Sequence, residues 1–376
     1  MGGRIMATTI NADTSNGLVL TPDTSGDINL QSAGVTKASI TSAGFTVGGS
    51  NISPQPTFRN RIINGNMAID QRNAGAAVTA HASYPVDRWY ISNSANGTFS
   101  AQQVSDTPVG FSSSLKITIT AAQTANTGNL SPVQVIEGNN LADLAWGTAD
   151  AKTVTISFWV RSSLTGTFGG ALRNSAANRS YPFSYTISVA NTWEYKTITI
   201  AGDTSGTWLT TNGIGISVRF SLYAVASSLQ AAGAWYNGSA TGATGQTQLA
   251  STNGATFYIT GVQLEVGEQA SDFENLQYGQ QLALCQRYYE TGSAKLGAYT
   301  HLGANFPIGM LTGTGFKVTK RTTPDVSITT TSSSNIYTNS GNTANINVSS
   351  FSQVGLVTTQ NNFGSIVISW TGGAEL

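Results

Sequence analysis

Between residues 57 and 275, apolar and polar positions alternate in short runs. Leu115, Ile117 and Ile119 alternate with Lys116, Thr118 and Thr120. Val154, Ile156, Phe158 and Val160 alternate with Thr155, Ser157, Trp159 and Arg161. The same rhythm sets Tyr185, Ile187 and Val189 against Ser184, Thr186 and Ser188. It also sets Ile214, Ile216, Val218, Phe220 and Leu222 against Gly215, Ser217, Arg219, Ser221 and Tyr223. A last strand is expected over 256–265. A period of two places one set of side chains on a core and the other toward water. Several such strands joined by Gly, Asn and Ser turns predict two antiparallel sheets packed face to face. The expectation is an all-β sandwich of jelly-roll type over 57–275.

The flanks differ. Residues 1–56 carry short apolar triplets, Leu18-Val19-Leu20, Ile28-Asn29-Leu30 and Phe45-Thr46-Val47, with Ile40 between the last two. So few apolar residues cannot offset chain entropy alone, and an isolated hairpin is marginal in water. Disorder and intertwining with identical neighbours are the two solutions, and the regular alternation favours an extended, intertwined segment. Gly48-Gly49-Ser50, Pro54 and Pro56 punctuate the boundary. A connecting helix is expected over 276–290. Residues 291–376 are Ser-, Thr- and Asn-rich and predict a small C-terminal β domain. Its strands are expected near 316–318, 326–328, 346–348, 356–357 and 366–370.

Charge narrows the function. Only 10% of residues are charged, and 18 basic residues balance 18 acidic ones. A nucleic-acid binder needs clustered Lys and Arg to displace counterions, and no such cluster occurs. Neutrality likewise argues against electrostatic adhesion to a membrane. Apolar runs fall short of the ~18 residues of a membrane-spanning helix, so no membrane insertion is expected. Cys285 is the single cysteine, which excludes an intrachain disulfide. Met1–Ile10 lacks the apolar core of a secretory signal, as expected of a protein made in the cytoplasm and delivered by another route.

Catalytic patterns are thin. His81 and His301 are the two histidines, and neither sits in a nucleophile-elbow pattern. Cys285, between Leu284 and Gln286, reads as a small buried hydrophobe. Clustered zinc ligands are lacking. A structural calcium needs only carbonyls and a few carboxylates, for which Glu137, Asp272 and Glu265 are candidates. Glycosidases need a carboxylate pair. Asp87, beside Arg88-Trp89, and Glu265, near a strand end, read more simply as salt-bridged or turn residues. No solenoid repeat is present. The expectation is a protein that is not an enzyme and has no cofactor.

Binding without chemistry fits better. Sugars present C–H faces to aromatic rings and hydroxyls to polar side chains. Trp159 and Arg161 share one strand face, and Arg219 and Tyr223 share another; both pairs should face out. For Trp159, sugar stacking and coverage of an edge or subunit contact both remain open. Trp193, Trp208 and Trp235 lie near turns, where sites often sit. In the last segment Tyr299, His301, Phe306, Tyr337 and the Asn-rich stretch 335–347 are further candidates.

Residues 58–73, FRNRIINGNMAIDQRN, resemble a recurring segment of phage and prophage tail fibre proteins. So do Ser157–Arg161 (SFWVR), Asn191–Lys196 (NTWEYK), Gly261–Gly267 (GVQLEVG) and Leu284–Glu290 (LCQRYYE). Together they run through 58–290 in the family's order. Val318–Pro324 adds a looser echo. The resemblance implies a jelly roll like that of carbohydrate-binding modules, carried on a homotrimeric fibre in the virion. It implies that residues 1–56 attach to a tail adaptor or baseplate protein. It also implies contact with a host surface receptor, which together with the aromatic surface residues above gives the expectation of multivalent, non-catalytic attachment to a host surface glycan or lipopolysaccharide. A purely structural tail subunit and a polysaccharide depolymerase are the alternatives.

Overall fold

The alternation at 154–160 becomes a central strand whose even-numbered residues are fully buried. The computed structural model describes residues 28–32, 35–41, 44–47, 50–51, 58–299, 312–334, 336–344, 346–358 and 363–376. The chain divides into two compact units, Met1–Phe58 and Arg59–Leu376.

In the first unit, β1 (Ile28–Ser32), β2 (Val35–Thr41), β3 (Gly44–Val47) and β4 (Ser50–Asn51) form an antiparallel meander. Ile28 pairs with Ile40 and Leu30 with Ala38. Ala38 is buried, but Leu30, Val35 and Ile40 remain exposed. The Leu18–Leu20 triplet lies outside the described residues.

The second unit is built on two antiparallel sheets. One contains β5 (Trp89–Asn93), β8 (Asn129–Glu137), β10 (Gly166–Arg173), β11 (Ser180–Ile187), β13 (Ile214–Ser221) and β14 (Tyr223–Ala224). The other runs β12 (Glu194–Ile200), β9 (Val154–Ser162), β17 (Thr256–Val266), β7 (Ser114–Ala121), β6 (Thr98–Val104). Their inner faces share one core, in which Phe158 of β9 meets Phe220 of β13 edge-on with ring centroids 4.9 Å apart. Each such ring, fully buried, contributes about 1.5–3 kcal/mol. The fold is the expected all-β, jelly-roll-like sandwich.

Two details of the alternation differ from expectation. Val189 lies beyond the end of β11 and is exposed. The β13 alternation stops at Ser221, after which Leu222 and Tyr223 both enter the core. Tyr223 therefore points inward, because the chain breaks period at the step into β14. Two further two-residue strands, β15 (Leu229–Gln230) and β16 (Gly242–Ala243), pair in parallel.

The helix α1 spans Tyr278–Gln286, shorter than 276–290. Gln277 and Gln280 close a capping box at its start. It ends early because Tyr289 already belongs to β18 (Tyr289–Tyr299), paired throughout with β23 (Phe363–Gly373). β20 (Asp325–Ser334) lies on the other side of β23, and β19 (Thr312–Gly315), β22 (Ser350–Thr358) and β21 (Ile336–Ala344) form a second small sheet. Expected strands at 326–328, 356–357 and 366–370 fall inside these. Those at 316–318 and 346–348 are not strands. Asn347 Oδ1 accepts from the backbone N–H of Ser349 at 2.8 Å and Ser350 at 2.9 Å, which folds that stretch into a turn.

Candidate functional site

The outer face of the β12-β9-β17-β7-β6 sheet carries Trp159, Tyr195, Tyr258 and Trp193 in two contacting pairs. Alternation along β9 sends Ser157, Trp159 and Arg161 outward, opposite the core residues. Register then decides what stands beside them. Trp159 faces Tyr195 of β12, and Arg161 faces Tyr258 of β17. The Trp159 and Tyr195 ring centroids are 5.3 Å apart with planes inclined at 47°. Tyr195 is 44% exposed, so the pair forms a two-ring platform reaching into water.

The platform is one wall of a groove of 390 Å³. Phe111 and Phe273, packed edge-on at 5.2 Å, form a second part of its lining. Asp272, Asn275, Ser157 and Ser271 add polar groups to the lining. At the base, β17 shifts register between Thr260 and Gln263. Gly261 sits in that bulge with φ +62°, and a Cβ there would lie 2.6 Å from Phe111 Cζ and 3.1 Å from Trp159 Cδ1. Only glycine lets Phe111 and Trp159 approach this closely.

A hydrogen-bond network fixes the wall formed by 270–275. Glu265 accepts from Ser271 N at 2.8 Å and from Gln263 Nε2 at 2.9 Å. Gln263 Oε1 accepts from Glu274 N at 2.8 Å, and Arg59 lies 3.7 Å from Glu265. Glu265 is thereby a loop anchor. Glu137, by contrast, sits at the end of β8 and is taken up by Arg287 and Tyr288. Among the described residues no three His, Cys, Asp or Glu side chains gather into a metal-ion cluster.

Beyond the groove, the same face continues. The Arg161 guanidinium lies 5.0 Å from the Tyr258 ring centroid, and Trp193 meets that ring edge-on at 6.1 Å. Asp106 ties them together, pairing with Arg161 and accepting from Trp193 Nε1 at 3.4 Å.

Of the residues singled out in the sequence, the structure brings Trp159, Arg161 and Trp193 onto this one surface. Trp235 is elsewhere, meeting Trp146 at 5.2 Å and Trp208 at 5.4 Å and donating to the Ala201 carbonyl at 2.9 Å. Arg219 and Tyr223 were expected to face water, and both are buried. Arg219 does point away from the core but is covered on the other sheet. Tyr223 packs in the core and donates to the Ala125 carbonyl at 2.9 Å. Tyr299 lies in β18 and Tyr337 in β21, with side chains outside the described residues, as are His301 and Phe306. Sequence reasoning missed Tyr195, Phe111 and Phe273 as site residues. For Tyr195 a signal existed, since residues 194–200 alternate and a cross-strand partner for Trp159 was needed. For the two loop phenylalanines none did.

Among solved structures, this chain is similar to the enzymatically active domain of tailspike protein 4 of bacteriophage CBA120. The identity is 13% and the TM-score 0.32, covering 55% of this chain and 21% of that one. This chain thus spans about a fifth of that tailspike chain. It is similar to the family 11 carbohydrate-binding module of a Clostridium thermocellum cellulosomal cellulase, at 15% identity and TM-score 0.28. That likeness covers 53% of this chain and 99% of the module. A third is the carbohydrate-binding module TmCBM61 in complex with β-1,4-galactotriose, at 11% identity and TM-score 0.29, covering 56% and 99%. No protein-family model matches the chain. No curated protein matches it in sequence.

Proposed function

We propose that this chain is a non-catalytic glycan-binding subunit of a phage-type tail fibre, and that the Trp159–Tyr195 groove holds the sugar. The observation that carries the reading is the platform itself. Two rings lie in register on adjacent strands, facing water, with Asp272 and Asn275 in the lining of a groove of 390 Å³. Rings of this kind stack on the C–H faces of pyranoses, while the carboxylate and amide orient the hydroxyls.

The first unit supports assembly from several copies. Leu30, Val35 and Ile40 are exposed on a four-stranded meander, and apolar surface of this kind is stabilised when covered by sister strands. A homotrimer would present three grooves at once. Individual sites of about millimolar Kd, roughly 4 kcal/mol each, then reach useful avidity when receptor spacing allows joint engagement.

The test is binding of the full chain to an array of neutral bacterial surface oligosaccharides, repeated with Trp159→Ala and Tyr195→Ala. Binding that drops at least tenfold in both variants supports the reading. Binding that survives both, or release of reducing ends from the bound polysaccharide, overturns it.

A further inference from the structure

The opposite sheet carries two arginines that pair with no carboxylate among the described residues. In the β10–β13 register, Ala171 faces Arg219 and Arg173 faces Ser217. Arg173 and Arg219 are therefore diagonal neighbours on the outer face. The row through Arg219 continues across Val133 of β8 to Tyr90 of β5. Tyr90 Oη lies 3.4 Å from Arg219 Nη2, and Arg173 Nη1 donates to Ser239 Oγ at 2.8 Å.

Seven other described arginines reach a carboxylate. Arg173 and Arg219 reach none among the described residues, although Arg219 is only 7% exposed. The Nε atoms of both, and the hydroxyls of Ser217 and Ser131 on the same face, are buried without a hydrogen-bond partner. Burial and the nearby Arg219 pull the Arg173 pKa down to about 10, still cationic at neutral pH, and burial pulls Arg219 down as well. Like charges held together in a partly dry environment are costly unless an anion neutralises them. Guanidinium forks and hydroxyls together suit the oxygens of a single anionic group. Beside them the half-buried Tyr90 ring lies 5.8 Å from that of Tyr84, one face of which the Arg72 guanidinium already covers at 4.3 Å, so Tyr90 is the ring placed to meet a sugar.

We propose that Arg173 and Arg219, with Tyr90 and Ser217, form a second site that takes the oxyanion of an acidic saccharide. The anion is a carboxylate, phosphate or sulfate carried on a pyranose. The site lies on the sheet opposite the aromatic groove and does not depend on that groove binding anything.

The full chain is titrated with glucuronate, glucose 6-phosphate, glucose 6-sulfate, glucose and inorganic sulfate, with ligand-observed NMR as readout. At least one charged sugar is expected to bind tenfold or more tightly than glucose, and its affinity falls as NaCl rises. Glucose 6-phosphate and glucose 6-sulfate differ in the acid group and its charge, and glucuronate also holds its carboxylate closer to the ring, so their order reports which acid and which reach the site prefers. Arg173→Gln, at the half-exposed position, should cost at least tenfold for the preferred sugar, and Arg219→Gln at least as much. Should Arg219→Gln fail to fold, Arg173→Gln decides. Equal binding of glucose and the charged sugars, unchanged affinity in Arg173→Gln, or inorganic sulfate matching the best sugar would each overturn the proposal. Trp159→Ala is read against neutral oligosaccharides, so failure here and failure of the groove are separate results.

Discussion

Glu137, at the end of β8, receives both Nε and Nη2 of Arg287, at 2.9 and 2.7 Å, in a fork that ties the residue after α1 to the sandwich. Tyr288 Oη adds a third hydrogen bond at 2.8 Å. Burial by itself would push the Glu137 carboxyl up, but the donors Arg287 and Tyr288 outweigh it and hold the pKa below its ordinary value. A carboxylate with a depressed folded pKa contributes stability at neutral pH that is lost as pH falls through the acid range.

Arg287→Met should therefore lower stability at pH 7 by about 2–3 kcal/mol, because the buried carboxylate loses its fork. Denaturant unfolding at pH 7 and pH 3 checks this. The penalty should be smaller at pH 3 than at pH 7, because the advantage of the fork is lost as pH falls through the depressed pKa of Glu137. An equal penalty at both pH values would show that Arg287 acts by packing alone.

Asp87 runs the other way. Burial raises its pKa from 3.8 to about 6, against the opposing pull of Arg72 and the Gln71 hydrogen bonds. A raised carboxyl pKa means the folded state holds the proton longer, so stability from this group is present below about pH 4 and fades as pH climbs through about 6. Relative to wild type, Asp87→Asn should gain stability between pH 4 and pH 7, by up to about 3 kcal/mol at ~1.4 kcal/mol per pH unit. Carbon-detected NMR of the Asp87 carboxyl should titrate near 6. A midpoint in the ordinary range removes the argument.

Glu290 and Lys320 are a fully buried pair at 2.8 Å, joining β18 to the loop before β20. Lys320→Met should cost about 3–5 kcal/mol, since it strands a buried carboxylate. The double replacement Glu290→Gln with Lys320→Met should cost clearly less than the single change. Chemical melts of the three variants measure it. A double variant no better than Lys320→Met would mean that packing dominates.

Gly261→Ala should lose about 1–3 kcal/mol of stability through overpacking against Phe111 and weaken saccharide binding at the same time. Gly279→Ala is the control. It sits in α1 with nothing within 4 Å of the added Cβ, and should be neutral or stabilising by up to about 1 kcal/mol. Thermal melts paired with binding curves separate the two. Wild-type affinity in Gly261→Ala would show that the bulge does not shape the groove.

The sandwich was legible because its strands keep strict period-two alternation, and Val154 to Val160 fall on the core as that alternation requires. Trp159 was legible as an outward residue for the same reason. What the sequence could not show was cross-strand neighbours. Tyr195 stands beside Trp159 only through the β9–β12 register, and Phe111 and Phe273 arrive from loops 162 residues apart in sequence. Arg219 failed as a surface residue because its outward side chain packs along its own sheet, with Nη2 3.4 Å from Tyr90 Oη and only 7% of the residue exposed. Tyr223 failed because alternation was extended one strand too far.

The central claim is most directly tested on the seven tryptophan indoles, followed by nitrogen–proton NMR while an array-selected neutral saccharide is added to the full chain. The Trp159 signal should move progressively with saturation, and the signals of Trp146, Trp208 and Trp235 should stay in place. Saturable binding that leaves Trp159 unmoved, or that shifts the Trp146 cluster instead, would contradict a sugar held in the Trp159–Tyr195 groove.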